Sequence, residues 1–245
     1  MKGTVLFDDG KRRWVVFGRD PSKGEHIIDT NQYLVQHEGK GMLIDPGGVE
    51  IFPAFVAALS AHTDPSQLEL IFASHQDPDV ISSLALWIDL NPQLACWAPW
   101  VWSSFIPHYG GGRPVVPIAD EGVNLPLGGS RDLRAVPAHY CHSSGHMTIF
   151  DPRAGILFSS DIGAALLPEG ETGFFVQDFA RHTRFMEGFH KRWMPSNAAK
   201  NAWVRRVREL PVKMLCPQHG SIFRGDDVKR FLDWFEALQV GTAVE

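Results

Sequence analysis

The stretch whose reading decides the fold is FASHQDPDV, residues 72–80. It closes the apolar run LELIF (68–72), whose length and polar flank predict a buried strand ending at His75. One histidine and two aspartates then stand at alternate positions, His75, Asp77 and Asp79, and a valine, Val80, follows. Imidazole and carboxylate are the ligand types of divalent-metal sites. The two aspartates also flank Pro78, as a capping pair would at the start of a helix. DVISSLALWIDL (79–90) has the apolar spacing for that helix. Capping and ligation are compatible, and both are expected.

Three more segments carry the same signature. AHYCHSSGHM (138–147) offers His139, His142 and His146; LFSSDIGA (157–164) offers Asp161; CPQHGS (216–221) offers His219. Each follows a strand-like run and sits in a Gly-, Ser- or Pro-rich turn, where residues far apart in sequence converge. Any one of the eleven histidines alone would be weak evidence. Four such segments in this order are a strong signal for a metal site. Within the second segment His142 is the expected ligand, with His139 and His146 supporting it.

Composition bounds the rest. A chain of 245 residues, 44% hydrophobic and 21% charged, buries a sizeable core, and a single domain over 1–245 is expected. A net charge of -5, spread along the chain, argues against a nucleic-acid or anionic-membrane surface. Asp8 and Asp9 come too early for a signal peptide. The uncharged run at 90–112 is broken by Pro92, Pro99 and Pro107, which excludes a membrane helix. Cys96, Cys141 and Cys216 form no Cys-x-x-Cys pair. They are expected as free, buried thiols in a cytoplasmic protein.

The remaining pattern alternates. NQYLVQHEGKGMLIDPGG (31–48) predicts two strands around EGKG, and PAFVAALSAH (53–62) a helix. LACWA, RPVVPI, DLRAVPA, HMTIFD, GILFSS and VKMLCP read as strands. SNAAKNAWVRRVREL (196–210), with its N-cap serine, and DDVKRFLDWFEALQ (226–239) read as helices. Strands and helices alternate in both halves, which predicts an α/β fold, an αβ/βα sandwich with the site at strand ends. The rings of CWAPWVWSSF and ETGFFVQDFARHTRFMEGFHKRW are expected in core packing and a hydrophobic rim, and Tyr33 and Tyr140 near the site.

His75, Asp77, Asp79, His142, Asp161 and His219 follow the order of the metallo-β-lactamase superfamily: H-x-[HED]-x-D-H, a histidine in an H-[ST]-x-G-H turn, an aspartate after a strand, a late histidine. The resemblance covers essentially the whole chain and implies a four-layer αβ/βα sandwich. A carboxylate at position 77 resembles the diiron branch, the flavodiiron proteins and smaller oxygen-binding diiron proteins, where zinc hydrolases carry histidine. The C-terminal stretch FHKRWMPSNAAKNAWVRRVRELPVKMLCPQHGSIFR (189–224) resembles that branch too. No flavodoxin domain, and so no FMN, is expected in this chain.

The resemblance implies two iron ions with a bridging oxo or hydroxo group. His75, Asp77 and His142 would hold the first, Asp79 and His219 the second, and Asp161 would bridge them. Three carboxylates and a hydroxide balance two divalent ions, and carboxylate-rich sets favour the harder ferric state. Val80 stands where the family pattern has a histidine, so the second ion would keep open positions for O2 or NO. His26 or His108 is the less favoured substitute donor. The expected function is an O2- or NO-binding diiron protein. It would act as a sensor or carrier, or as an oxidoreductase fed by a separate flavodoxin- or rubredoxin-like donor. A signalling partner and a homodimer are further expectations. The alternative is a zinc or manganese hydrolase cleaving an ester, lactone or phosphodiester with a metal-bound hydroxide.

Overall fold

The computed structural model describes residues 1–18, 26–168, 170–171 and 173–244. Its first sheet has seven strands in sequence order: β1 (Lys2–Asp8), β2 (Arg12–Gly18), β3 (Asn31–His37), β4 (Lys40–Ile44), β5 (Leu68–Phe72), β6 (Ala95–Pro99) and β7 (Val116–Ile118). β1 to β4 pair antiparallel, and β4 to β7 pair parallel. The β3–β4 connection is a hairpin within the predicted EGKG turn, with two residues between the strands. Glu38 and Gly39 take φ of 46° and 79°, the left-handed pair that matches the twist of the flanking strands.

The second sheet holds β8 (Asn124–Leu127), β9 (Ser130–Pro137), β10 (Met147–Asp151), β11 (Ile156–Ser160), β12 (Met214–Pro217) and β13 (Phe223–Arg224), in the order β13-β12-β11-β10-β9-β8. Among the described residues six α-helices cover the sheets: α1 (Phe52–Leu59), α2 (Pro78–Ile81), α3 (Leu84–Leu90), α4 (Phe179–Trp193), α5 (Asn197–Arg208) and α6 (Asp226–Ala237).

Three apolar layers bind these pieces. Trp14, Tyr33, Phe72, Leu133, Ile149 and Phe158 fill the space between the sheets. Phe55, Ile81, Leu84 and Trp87 seal α1 to α3 on the first sheet, against Leu34 and Leu43. Trp203, Val204, Phe231 and Phe235 seal α5 and α6 on the second, against Phe150, Leu157 and Leu215, and Met186 of α4 joins them. The layers are therefore helix, sheet, sheet, helix, as the alternation predicts.

One polar clasp spans the middle layer. Arg12, fully buried on β2, donates to Asp151 at 2.9 Å and to Asp132 at 2.7 Å, and Trp14 Nε1 donates to Asp151 at 2.7 Å. The clasp lies at the end of the sandwich opposite His75. A buried pair of this kind costs roughly 3–5 kcal/mol to break on one side only.

The structure adds elements that the sequence pattern does not mark: β1, β2, β8, β13 and α4. The helix predicted over 79–90 is split into α2 and α3 at Ser83, whose backbone N–H (3.3 Å) and hydroxyl (2.7 Å) both turn to the Gly47 carbonyl, so that N–H is lost to the helical ladder. Residues 90–112 form β6 and two 3-10 turns. No helix among the described residues is long and apolar enough to cross a membrane.

Candidate metal centre

The six predicted side chains converge in one place. The turn after β5 carries His75 and Asp77, the first turn of α2 carries Asp79, the turn after β9 carries His142, the turn after β11 carries Asp161, and the turn after β12 carries His219. His142 Nε2 lies 2.9 Å from Asp77 Oδ2 and 3.3 Å from Asp161 Oδ2. His75 Nε2 lies 3.5 Å and 3.6 Å from the same two oxygens. The other Asp161 oxygen, Oδ1, lies 3.4 Å from His219 Nε2, which is itself 3.3 Å from Asp79 Oδ2. The geometry thus has two halves, His75–Asp77–His142 and Asp79–His219, with one Asp161 oxygen turned to each.

Hydrogen bonds behind the site set which atoms face inward. His75 Nδ1–H donates to Ser74 Oγ at 2.9 Å, and the Ser74 hydroxyl donates to Asp45 Oδ2 at 2.5 Å. Ser160 joins the Ser74 hydroxyl at 2.7 Å. Asp45 is fully buried and also accepts the Ser74 N–H at 2.8 Å. His219 Nδ1–H donates to the Asp29 carbonyl at 2.9 Å. Both rings are therefore fixed with Nε2 toward the carboxylates, the atom a ligating histidine would present to a metal.

The carboxylates are held as well. Gln76 donates to Asp77 Oδ1 at 2.7 Å, Ser143 to Gln76 Oε1 at 2.7 Å, and Trp102 Nε1 to Ser143 at 3.1 Å. Asp77 Oδ2 alone is left to face the histidines. Gln218, fully buried, donates to the Asp79 carbonyl at 3.1 Å.

Strain gathers at this end. Asp45, Tyr140, His142 and Ser160 all have φ between 44° and 90°, backbone that side-chain-bearing residues adopt only where the surroundings force it. Gly220, at φ 85°, lets the His219 turn sit where a Cβ would stand 2.6 Å from Ala165 Cβ. Asn31 Nδ2 ties the same turn to β3 through the Pro217 and Gly220 carbonyls, at 3.1 and 2.9 Å. From α4, His190 accepts the Gly163 N–H at 3.0 Å and donates to the Met186 carbonyl at 2.8 Å. That anchors the turn of Asp161 to the helix.

Burial by itself would discharge these groups, yet their mutual attraction outweighs it. His75 is raised to about 9 despite burial, by the charges of Asp161, Asp77 and Asp45 and a hydrogen bond to Asp77. His219 is driven well above the ordinary imidazole value against burial, by Asp161 and Asp79. Asp77 and Asp161 fall far below the usual carboxylate range, again against burial, through the histidines around them. Asp45 goes the other way: burial dominates and lifts its carboxyl to about 7.

The donor set fits a metal. His75 Nε2 and Asp161 Oδ1 are buried without a hydrogen bond of normal geometry. One ligand atom each from His75, Asp77, His142 and Asp161 lies within 4.8 Å of the others, the spacing of donors around a cation. Three acids and three imidazoles packed this closely call for positive charge between them.

The other flagged residues fall outside this ring. His139 points to the Asp120 carbonyl at 2.8 Å. His146 is buried beside His75, its ring 5.1 Å away, and bonds to the Cys141 carbonyl. Tyr33 donates to the Pro217 carbonyl at 2.7 Å, while Tyr140 is exposed. Val80 is fully buried in the α1–α3 layer and offers no donor. Asp77 is the backbone N-cap of α2, but its side chain makes no cap bond. The three cysteines are free and buried. The sequence reading missed Asp45, Ser74, Gln76, Ser143, Ser160 and Gln218. Five of these directly adjoin a predicted ligand, so adjacency was the available signal, and Asp45 follows a strand as the ligands do.

Two sheets between helix layers, with this histidine–aspartate cluster at their strand ends, define a metallo-β-lactamase fold of the diiron branch. A family model described as ODP family beta lactamase matches residues 28–220, and the chain belongs to that family. The chemotaxis sensor ODP, solved as a peroxy diiron species and in an apo state from T. denticola, is 37% identical. Those structures superpose with TM-scores of 0.88 and 0.89, covering 99% of this chain and 97% and 96% of theirs. Diflavin flavoprotein A 1 of Synechocystis sp. is 29% identical over 213 residues, 84% of this chain and 36% of its own length. The anaerobic nitric oxide reductase flavorubredoxin of Aeromonas salmonicida is 24% identical over 244 residues, 94% of this chain and 46% of its own length. The chain thus spans less than half of either curated relative.

Proposed function

We propose that this protein holds two iron ions and senses O2, with NO as the competing diatomic ligand. The observation that carries the reading is the division of the cluster about Asp161, one carboxylate oxygen to each half. His75, Asp77 and His142 would hold one ion, Asp79 and His219 the other, and Asp161 would bridge. Bound iron would supply two one-electron reductants and a coordination position open to a small gas.

The chain's own residues do the rest. Ser74 and Asp45 hold His75 in the tautomer that presents Nε2, and Asp29 does the same for His219. The Gln76–Ser143–Trp102 line keeps Asp77 turned by one oxygen only. The Asp79–His219 half has one side-chain donor fewer than the His75–Asp77–His142 half, which is where a gas would enter. A sensing role, in place of catalytic turnover, is supported by end-to-end similarity to a chemotaxis sensor at 37% identity.

The test is anaerobic loading with ferrous iron, metal counting, and an optical spectrum before and after air is admitted. Two irons per chain and a new, stable charge-transfer band are expected. A chain that takes only zinc or manganese, hydrolyses an ester and shows no spectral response to O2 would overturn the reading.

A further inference from the structure

The two halves of the centre are not equally prepared. One atom each from His75, Asp77, His142 and Asp161 already shares the space of a single ion. In the other half Asp79 and His219 stand 3.3 Å apart, with Asp161 Oδ1 3.4 Å from His219. The Asp79 side chain is 26% exposed, so water competes for its carboxylate. Its backbone is also short of a partner. In an unbroken helix the Asp79 carbonyl would receive the Ser83 N–H, but that N–H turns to Gly47 at 3.3 Å.

Gln218 takes that place from the opposite sheet. Its Nε2 donates to the Asp79 carbonyl at 3.1 Å and lies 3.5 Å from Asp79 Oδ2, the oxygen that faces His219. Its own backbone is tied on both sides. The N–H donates to the Ser160 carbonyl at 2.8 Å, beside Asp161, and the carbonyl accepts the Asn31 N–H at 2.6 Å. His219 is the next residue. Gln218 thus grips the chain at or next to Asp79, Asp161 and His219. Its other amide atom gains nothing. Oε1 is buried and finds no hydrogen-bond partner among the described residues. Stability alone would favour an apolar side chain at such a position. An amide retained with an orphaned oxygen is there for what its Nε2 holds.

We propose that Gln218 is the positioning residue of the Asp79–His219 half, holding Asp79 toward His219 so that uptake of the second ion depends on it and uptake of the first does not. The inference rests on the two-ion reading above. Gln76 has the corresponding task in the first half, where it donates to Asp77 Oδ1 at 2.7 Å. The two amides grip different things. Gln76 sets one carboxylate oxygen, whereas Gln218 holds the backbone and so fixes the start of α2 relative to His219.

The experiment titrates full-length, metal-free protein with ferrous iron under anaerobic conditions, by calorimetry and by counting bound iron after dialysis. Asp79→Ala marks which step belongs to the second half. Gln218→Leu and Gln218→Met are each expected to weaken that step about 10- to 100-fold and to leave the other within about twofold of wild type. Metal-free Gln218→Leu should melt within about 4 °C of wild type, since the orphaned oxygen leaves together with the donor. Gln76→Leu should weaken the opposite step. Wild-type affinity in both steps, equal losses in both, or a loss of the Asp79 step in Gln76→Leu as large as in Gln218→Leu would overturn the proposal. So would failure of both position-218 variants to fold, which would make Gln218 a residue of the fold alone. Wild-type protein that takes up fewer than two irons would instead overturn the diiron reading, and that result comes before any variant is compared.

Discussion

At the scale of single residues, the centre is defined as much by its backing as by its candidate ligands. The six facing side chains were legible because each ends a strand in a turn-rich segment, and position 77 carries oxygen where nitrogen is the common alternative. Asp45 was not legible as a partner, because only the fold brings residue 45 beside residue 74. Its ordinary value is 3.8 and burial lifts it to about 7 in the folded chain. The folded state therefore holds this proton more tightly than the unfolded chain does. The resulting stability is fully present below about pH 4 and is lost as the pH rises through about 7. Asp45→Asn has no such proton to lose. In metal-free protein, urea unfolding should show the variant gaining about 2–3 kcal/mol on wild type between about pH 5 and about pH 8. Its iron affinity should nevertheless fall about 10- to 100-fold, because the neutral amide is a poorer support for Ser74 and His75. Val80→His makes the complementary prediction. The side chain at 80 points into the apolar α1–α3 layer, so an imidazole there should cost about 1–3 kcal/mol and add no iron affinity. Thermal melting and competitive iron titration check both parts.

At the scale of elements, strands with short apolar runs and helices with clean caps were readable, such as β5 and the Ser196-capped α5. The helix α4 was not. Its buried side carries His182 and His190 beside Met186 and Phe189, polar rings within the apolar stripe that periodicity relies on. His190 makes a contact other than packing. His190 is kept neutral, lowered to about 4, chiefly by burial, which leaves Nε2 bare to receive the Gly163 N–H. Replacing it by alanine strands that donor beside Asp161. His190→Ala should lose about 1–3 kcal/mol of stability and bind iron with less than full stoichiometry. His190→Asn, whose side chain carries an acceptor, should recover part of both. Melting curves and metal analysis of the two variants decide it; equal iron content in His190→Ala and wild type would show that α4 does not set the Asp161 turn.

At the scale of the whole molecule, the four-layer order followed from the alternation of strands and helices in both halves. The edge strands β1, β8 and β13 did not, since short or half-exposed strands take their place from neighbours more than from their own pattern. The candidate ligands divide evenly between the sheets: His75, Asp77 and Asp79 come from the first, His142, Asp161 and His219 from the second. Metal bound there ties the two sheets together and favours the folded chain by mass action, about 4 kcal/mol at a thousandfold excess over Kd. Amide hydrogen exchange should therefore slow on iron loading in residues 138–147, 160–165 and 217–221, and return to the metal-free rate with chelator. An unchanged exchange pattern would mean that these turns are rigid without metal.

The Arg12–Asp151–Trp14 clasp completes this arrangement. It joins β2 of the first sheet to β10 of the second at one rim of the sandwich, while the cluster of His142, Asp161 and His219 with His75, Asp77 and Asp79 joins the same two sheets at the other rim, so the apolar filling between them is bracketed by polar contacts on both sides.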